Sequence, residues 1–200
     1  EIEIKKVMKK LIFFALMNFC LFGYSQNPTL RLKNKIDSNL NLPQNLNKND
    51  ICLIYEINGG WSAYDFVNYY FINENGILEV YQEERPKSYL KDEKLKRSIK
   101  KIEPTKDLSN KIIKLVNSKQ LTELLKYKQE NFKIKILEKR NSPPSPCMIS
   151  DNYGFKLTFI QNSKQNSYDY YAPKYYYEKC NDKTINKPVL KKFIDVLNLF

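Results

Sequence analysis

Ile51-Cys52-Leu53-Ile54-Tyr55-Glu56-Ile57, then Asn58-Gly59-Gly60, then Tyr64, Phe66, Val67, Tyr69, Tyr70, Phe71 and Ile72, then Asn73-Glu74-Asn75-Gly76, then Ile77-Leu78-Glu79-Val80-Tyr81: this stretch decides the fold. Its apolar, β-branched and aromatic runs are punctuated by Asn and Gly, the pattern of antiparallel strands joined by tight turns. Asn75-Gly76 fits the positive-φ positions of such a turn. The stretch carries the core and no catalytic motif.

Outward from it, the pattern changes period. Arg85-Pro86 leads into a lysine-dense run over 87–101, in which Ser98-Ile99-Lys100-Lys101-Ile102 suits either a helical turn or a short edge strand. Pro104 ends it. Thr105 is placed to cap a helix, with Asp107 in its first turn. Leu108, Ile112, Leu115 and Val116 form one helical face, and the phase slips at Asn117-Ser118 before Leu121, Leu124 and Leu125 resume. Phe132, Ile134 and Ile136 alternate with lysines, which predicts a strand over 132–137 with one wet face. Asn141-Ser142-Pro143-Pro144-Ser145-Pro146 reads as a stiff extended connector.

A second hairpin follows. Phe155, Leu157 and Phe159 alternate on the way out, Gln161 to Asn166 make a polar turn, and Tyr168 and Tyr170 alternate on the return. Asn186-Lys187-Pro188 opens a last helix with Pro in its first turn and an apolar face of Val189, Leu190, Phe193, Ile194, Leu197 and Phe200. The expected class is α+β. An antiparallel sheet is built from two hairpin or meander units, each followed by helix, with the helices packed on one face.

Towards the amino terminus, Met8-Lys9-Lys10 precedes Leu11-Ile12-Phe13-Phe14-Ala15-Leu16-Met17, and small residues close the segment at Gly23-Tyr24-Ser25-Gln26. A basic start, a short apolar run and a small-residue end are the pattern of a secretory signal peptide over 8–25, with cleavage before Gln26. The ending resembles that of exported proteins from AT-rich Gram-negative bacteria. Residues 1–7 precede the first Met and read as upstream sequence. The bulky Phe19 before Cys20 argues against a lipid-attachment site, and no stable membrane anchor is expected. Residues 26–50, polar and Asn-rich with Pro28 and Pro43, read as a linker. Residues 51–200 then form a single α+β domain. The expected location is periplasmic or extracellular.

The formal net charge of the 200-residue chain is +12, and four lysines and two glutamates before residue 26 leave +10 for the remainder. Abundant Lys, Asn, Ile and Tyr are what an AT-rich genome imposes on codon usage. Nucleic-acid readers interleave basic and aromatic side chains on one face, and the lysine run at 87–101 has only Tyr89; for it and the run at 126–140 a solvated face is expected and no nucleic-acid partner. The chain has no His, which removes the commonest general base and the commonest zinc ligand. There is no Gly-rich phosphate loop and no nucleophile elbow, and no cofactor or metal is implied. Acid–base chemistry would fall to carboxylates such as Asp65, Glu79, Asp151 and Asp169, in or beside predicted strands.

The most distinctive segment is Tyr168-Asp169-Tyr170-Tyr171-Ala172-Pro173-Lys174-Tyr175-Tyr176-Tyr177. Its plainer role is packing, with every second ring turned into the core and the others shielding a sheet edge. Its sharper role is binding: Tyr168, Tyr170, Tyr171, Tyr175, Tyr176 and Tyr177 offer flat apolar rings with polar tips, suited to stacking on sugars or gripping a protein. The leading expectation is a non-enzymatic envelope or secreted module for a protein or glycan partner. The rival is a hydrolase of an envelope polymer using paired carboxylates about 5–9.5 Å apart. Export also predicts a disulfide. Cys52, in an unbroken apolar run, suits a free buried thiol, whereas Cys147 and Cys180 flank the second hairpin, whose ends meet, and are expected to pair. The competing pairing is Cys52 with Cys147.

Overall fold

A computed structural model describes residues 27–90, 94–134 and 147–200. The signal-peptide reading of 8–25, the upstream reading of 1–7 and the connector at 141–146 lie outside the described residues.

Seven antiparallel strands form one sheet: β1 (Asn34–Lys35), β2 (Ile51–Gly59), β3 (Tyr64–Ile72), β4 (Leu78–Pro86), β5 (Ser98–Ile102), β6 (Tyr153–Gln161) and β7 (Lys164–Tyr171). Their spatial order is β1-β7-β6-β2-β3-β4-β5. The meander β2–β5 is followed by α1 (Lys106–Val116) and α2 (Lys119–Leu124), then a 3-10 turn (Gln129–Phe132). The hairpin β6–β7 is followed by α3 (Pro173–Glu178) and α4 (Lys187–Leu197). The two units join where β6 pairs with β2, from Cys52 opposite Ile160 to Gly59 opposite Tyr153.

Strand alternation divides the core in two. Ile51 and Leu53 of β2, Tyr70 and Ile72 of β3, Leu78 and Val80 of β4, and Leu157, Phe159 and Tyr168 face the helices. Against them pack Ile112, Leu115 and Val116 of α1, Leu121 and Leu124 of α2, and Val189, Leu190, Phe193 and Ile194 of α4. Cys52, Ile54, Val67, Tyr69, Phe71 and Ile160 face the other way, and among the described residues their cover contains no helix. All the described helices therefore lie on one face, as the pattern of apolar positions predicts.

Several local signals act as expected. The Thr105 hydroxyl accepts from the Leu108 amide at 3.2 Å, and the Ser118 hydroxyl caps α2 by accepting from Leu121 at 3.1 Å. The phase slip at Asn117-Ser118 is thus a break between two helices. The 98–102 segment is an edge strand paired with β4. Gly76 takes the expected positive φ (+74°) but Asn75 does not, and the turn before Gly76 is closed by the Asn73 side chain, which accepts from the amides of Asn75 and Ile77.

Three expectations are corrected. Phe132 lies in the 3-10 turn, and Lys133 makes only an isolated bridge to Ile185, so residues 132–134 form no strand. Phe132 is drawn into the core between Tyr168, Tyr170 and Phe193, a contact its alternation with lysines does not reveal. Residues 135–137 of that expected strand lie outside the described residues. The turn of the second hairpin spans only Asn162 and Ser163, both at positive φ, because the pairing runs on to Gln161 opposite Lys164. Finally, residues 27–50, expected as a polar linker, are laid along the sheet. β1 pairs with β7, and Leu40, Leu42 and Leu46 pack on the helix-free face. The buried amide side chains Gln161 and Asn166 accept from the backbone of Leu30 and Lys33 at 2.8 and 2.9 Å.

Candidate functional site

The Tyr-rich return strand separates its rings as strand and helix geometry require. Tyr168 is fully buried. Its hydroxyl lies 3.0 Å from the Tyr127 carbonyl and 3.2 Å from that of Leu124, and it accepts from Asn166. Burial pushes this phenol up to about 12, against the Asn166 hydrogen bond that lowers it. Tyr168 is therefore a core pin between the sheet and the end of α2, and the expectation that it meets a ligand is corrected. Tyr175, Tyr176 and Tyr177 continue as helix α3, half-buried against the helix-side core. The Tyr175 hydroxyl donates to the Met148 carbonyl at 3.3 Å.

Tyr170, Tyr171 and Tyr176 are brought together. With Phe132, Ile185 and the Cys147 end of the disulfide they line a groove of about 740 Å³, bordered by Gln129, Glu130, Asp169 and Thr184. Ring contacts make the wall continuous: Tyr170 lies 5.4 Å from Phe132 and 5.9 Å from Tyr176, both edge-on. Burial, helped by Tyr176 and Asp182, pushes the Tyr170 phenol up to about 12, so it remains neutral at physiological pH. Along the edge of β7, the Gln129 amide side chain imitates a neighbouring strand. It donates to the Asp169 carbonyl at 2.7 Å and accepts from the Asp169 amide at 2.9 Å. Burial also pushes the Asp169 carboxyl up, opposed by Lys156 opposite it on β6.

The disulfide Cys147–Cys180 is present, with Cα atoms 5.5 Å apart, and Cys52 is a buried free thiol. The bond ties the segment before β6 to the end of α3, so it fixes one side of the groove.

A second cluster, absent from the sequence reading, occupies the helix-free face. Glu83 is buried and accepts from Tyr69, from Arg85 Nε at 3.0 Å and from Arg97 Nε at 2.6 Å. Arg85 also reaches Glu56 at 3.5 Å. Burial alone would push the Glu83 carboxyl up. The hydrogen bonds from Arg85, Arg97 and Tyr69 outweigh it and hold the carboxyl at about 2. Glu83 shares a face with Tyr81 and Glu79 by alternation, which was the available signal. Of the carboxylates expected to matter, Glu79 is paired with Lys101 at 2.6 Å, and Asp65 lies opposite Arg85. A pocket of about 370 Å³ above this cluster is closed on one side by Asp37, Asn39, Leu40 and Asn41.

Among the described residues, no group of three or more His, Cys, Asp or Glu is placed to hold a metal ion, and no helix is long and apolar enough to cross a membrane. Compared with known protein families, curated proteins and solved structures, the chain matches none.

Proposed function

We propose that this is an exported, non-enzymatic binding module of the bacterial envelope or secreted fraction, which takes a partner in the tyrosine-lined groove. The observation that carries the reading is Tyr170 and Tyr176 edge-on to each other over the buried Phe132, with Tyr171 beside them and amide, carboxyl and hydroxyl groups at the border. Rings that present apolar area with few rotatable bonds, rimmed by hydrogen-bonding groups, suit a sugar chain. A glycan is therefore the favoured partner over a protein surface. Export is supported by the basic, apolar and small-residue order over 8–25, and the disulfide is compatible with it.

The hydrolase reading draws no support from Glu56 and Glu83. Arg85 bonds both, and Glu83 is held ionised by three donors, so Glu83 is not poised to deliver a proton near neutral pH.

The test is a pull-down of the protein on envelope polysaccharides across a salt series, with Tyr171→Ala and Tyr176→Ala as variants. Stacking tolerates salt, so binding is expected to persist at high salt and to fall roughly tenfold in the variants, about 1.4 kcal/mol. Binding that disappears at moderate salt and ignores both tyrosines would assign it to the lysine runs instead. Release of soluble fragments from the polymer would favour the hydrolase. Intact mass of the protein from an exporting host tests export: a chain starting at Gln26 is expected, and retention of residues 8–25 or a diacylglycerol on Cys20 would overturn it.

A further inference from the structure

The exposed large apolar side chains are unevenly distributed. Antiparallel register places the ends of β2, β4 and β7 and the starts of β3, β5 and β6 at one end of the sheet: Gly59 lies opposite Tyr153, Tyr64 opposite Pro86, Glu84 opposite Ser98, and Gly154 opposite Tyr171. The turns at this end carry Trp61 (89% exposed), Tyr89 (70%), Met148 (89%) and Tyr153 (50%), with Leu90 and Tyr171 beside them. These side chains come from well-separated parts of the chain, and only the fold assembles them.

The end is also braced. Lys87 is buried, and its ammonium donates to the carbonyls of Gly59 and Gly60 at 2.8 and 3.0 Å while its amide donates to Ala63. This ties the Tyr89 segment beneath the Trp61 turn. The Gly60 amide donates to the Asn152 carbonyl, and the Asn152 amide donates to the Tyr171 hydroxyl at 2.9 Å. Gly60, at φ +63°, lies so close to the Tyr153 ring that a Cβ there would meet it at 2.6 Å. The turns that carry the aromatic tips therefore stand on a fixed base.

We propose that this end of the sheet is a docking surface for an anionic lipid bilayer. Trp and Tyr partition to the interface between headgroups and acyl chains, and Met and Leu carried on turn tips can enter the same layer. The charge is complementary. The formal net charge is +12 for the chain and +10 from residue 26 onward, and exposed Lys96, Arg97 and Lys174 lie at this end, with Asp65, Glu84 and Asp151 among them. Basic side chains near a membrane surface attract anionic headgroups. Rings projecting from turns suit a soft plane better than a rigid protein surface, which would need a matching cavity for each. The surface meets the tyrosine groove at Tyr171, but its test rests on Trp61 and Tyr89, which do not line the groove, so its failure would leave the groove reading intact.

Trp61 is the sole tryptophan, so its fluorescence reports on this surface alone. With protein recovered from an exporting host, vesicles of phosphatidylglycerol and phosphatidylcholine are expected to move the emission to shorter wavelength, and brominated acyl chains to quench it. Phosphatidylcholine alone is expected to do neither. In vesicle flotation, Trp61→Ala with Tyr89→Ala is expected to weaken partition about tenfold or more. Ile77→Ala, at the opposite end of the sheet, is expected to leave it unchanged. Far-UV circular dichroism checks that the variants fold. Unchanged emission with anionic vesicles, a double variant that floats as well as the parent, or equal loss in Ile77→Ala would overturn the proposal. So would an emission shift that appears without lipid as protein concentration rises, which would make this end an interface between copies.

Discussion

Glu83 is the residue whose chemistry most exceeds what its neighbours in sequence suggest. A carboxylate inside a sheet face survives because Arg85, Arg97 and Tyr69 all donate to it. Its carboxyl is depressed from the ordinary value of 4.5 to about 2. A depressed folded-state value means stability present above the unfolded value and lost as pH falls through the folded one. Acid titration from about pH 4.5 to about pH 2 is therefore expected to remove stability of order 3 kcal/mol. Glu83→Gln should cost about 2–4 kcal/mol near neutral pH and flatten that window, measured by urea denaturation at several pH values. An unchanged acid limb in the variant would show that other carboxylates carry it. At the β6–β7 turn the conflict is conformational. Asn162 and Ser163 both adopt positive φ, which Asn tolerates and Ser does not favour. Ser163→Gly is expected to raise stability by about 1 kcal/mol, read as a higher denaturant midpoint at constant slope.

Elements were legible wherever the signal was local. Thr105, the slip at Asn117-Ser118 and Asn186-Lys187-Pro188 mark helix boundaries by caps and phase, and those boundaries need no distant partner. The disulfide was legible because a hairpin brings its flanks together. Phe132 was not, since its place is set by Tyr170 and Phe193 from other elements. Nor was Glu83: Arg85 lies two residues along the same strand, but Tyr69 and Arg97 become its neighbours only once β3, β4 and β5 pair. For the candidate groove, Tyr170, Tyr171 and Tyr176 were legible as a type of residue, and their separation from Tyr168 was not. The disulfide closes a sequence separation of 33 residues. Cys147→Ser with Cys180→Ser is expected to lower stability by about 3–4 kcal/mol on the chain-entropy model. Non-reducing peptide mapping is expected to link only these two cysteines. A Cys52 peptide joined to either one would contradict the pairing.

At the scale of the whole molecule, the sheet needs cover on two faces, and the described helices supply only one. The second face carries Cys52, Ile54, Val67, Tyr69, Phe71 and Ile160, and its described cover includes Leu40, Leu42 and Leu46. Three leucines dispersed among Asn, Gln and Lys leave no periodic signal, so the segment reads as polar although it packs on apolar surface. It also supplies β1, which pairs with the edge of β7, and backbone amides for Gln161 and Asn166, which would otherwise face inward without those partners. Exposing such a face to water is costly per unit area, and unpaired buried amides add to the cost. A chain beginning at Asp50 is therefore expected to lose most of its stability and to self-associate through the bared face. Cys52 provides the readout. It is fully buried in the sheet, and burial pushes its thiol well above the ordinary value, so it should resist alkylation in the intact protein until denaturant is added. In the shortened chain it should be alkylated readily without denaturant. A shortened chain that keeps Cys52 protected and unfolds at the same denaturant concentration would show that residues 27–49 rest on the sheet without supporting it.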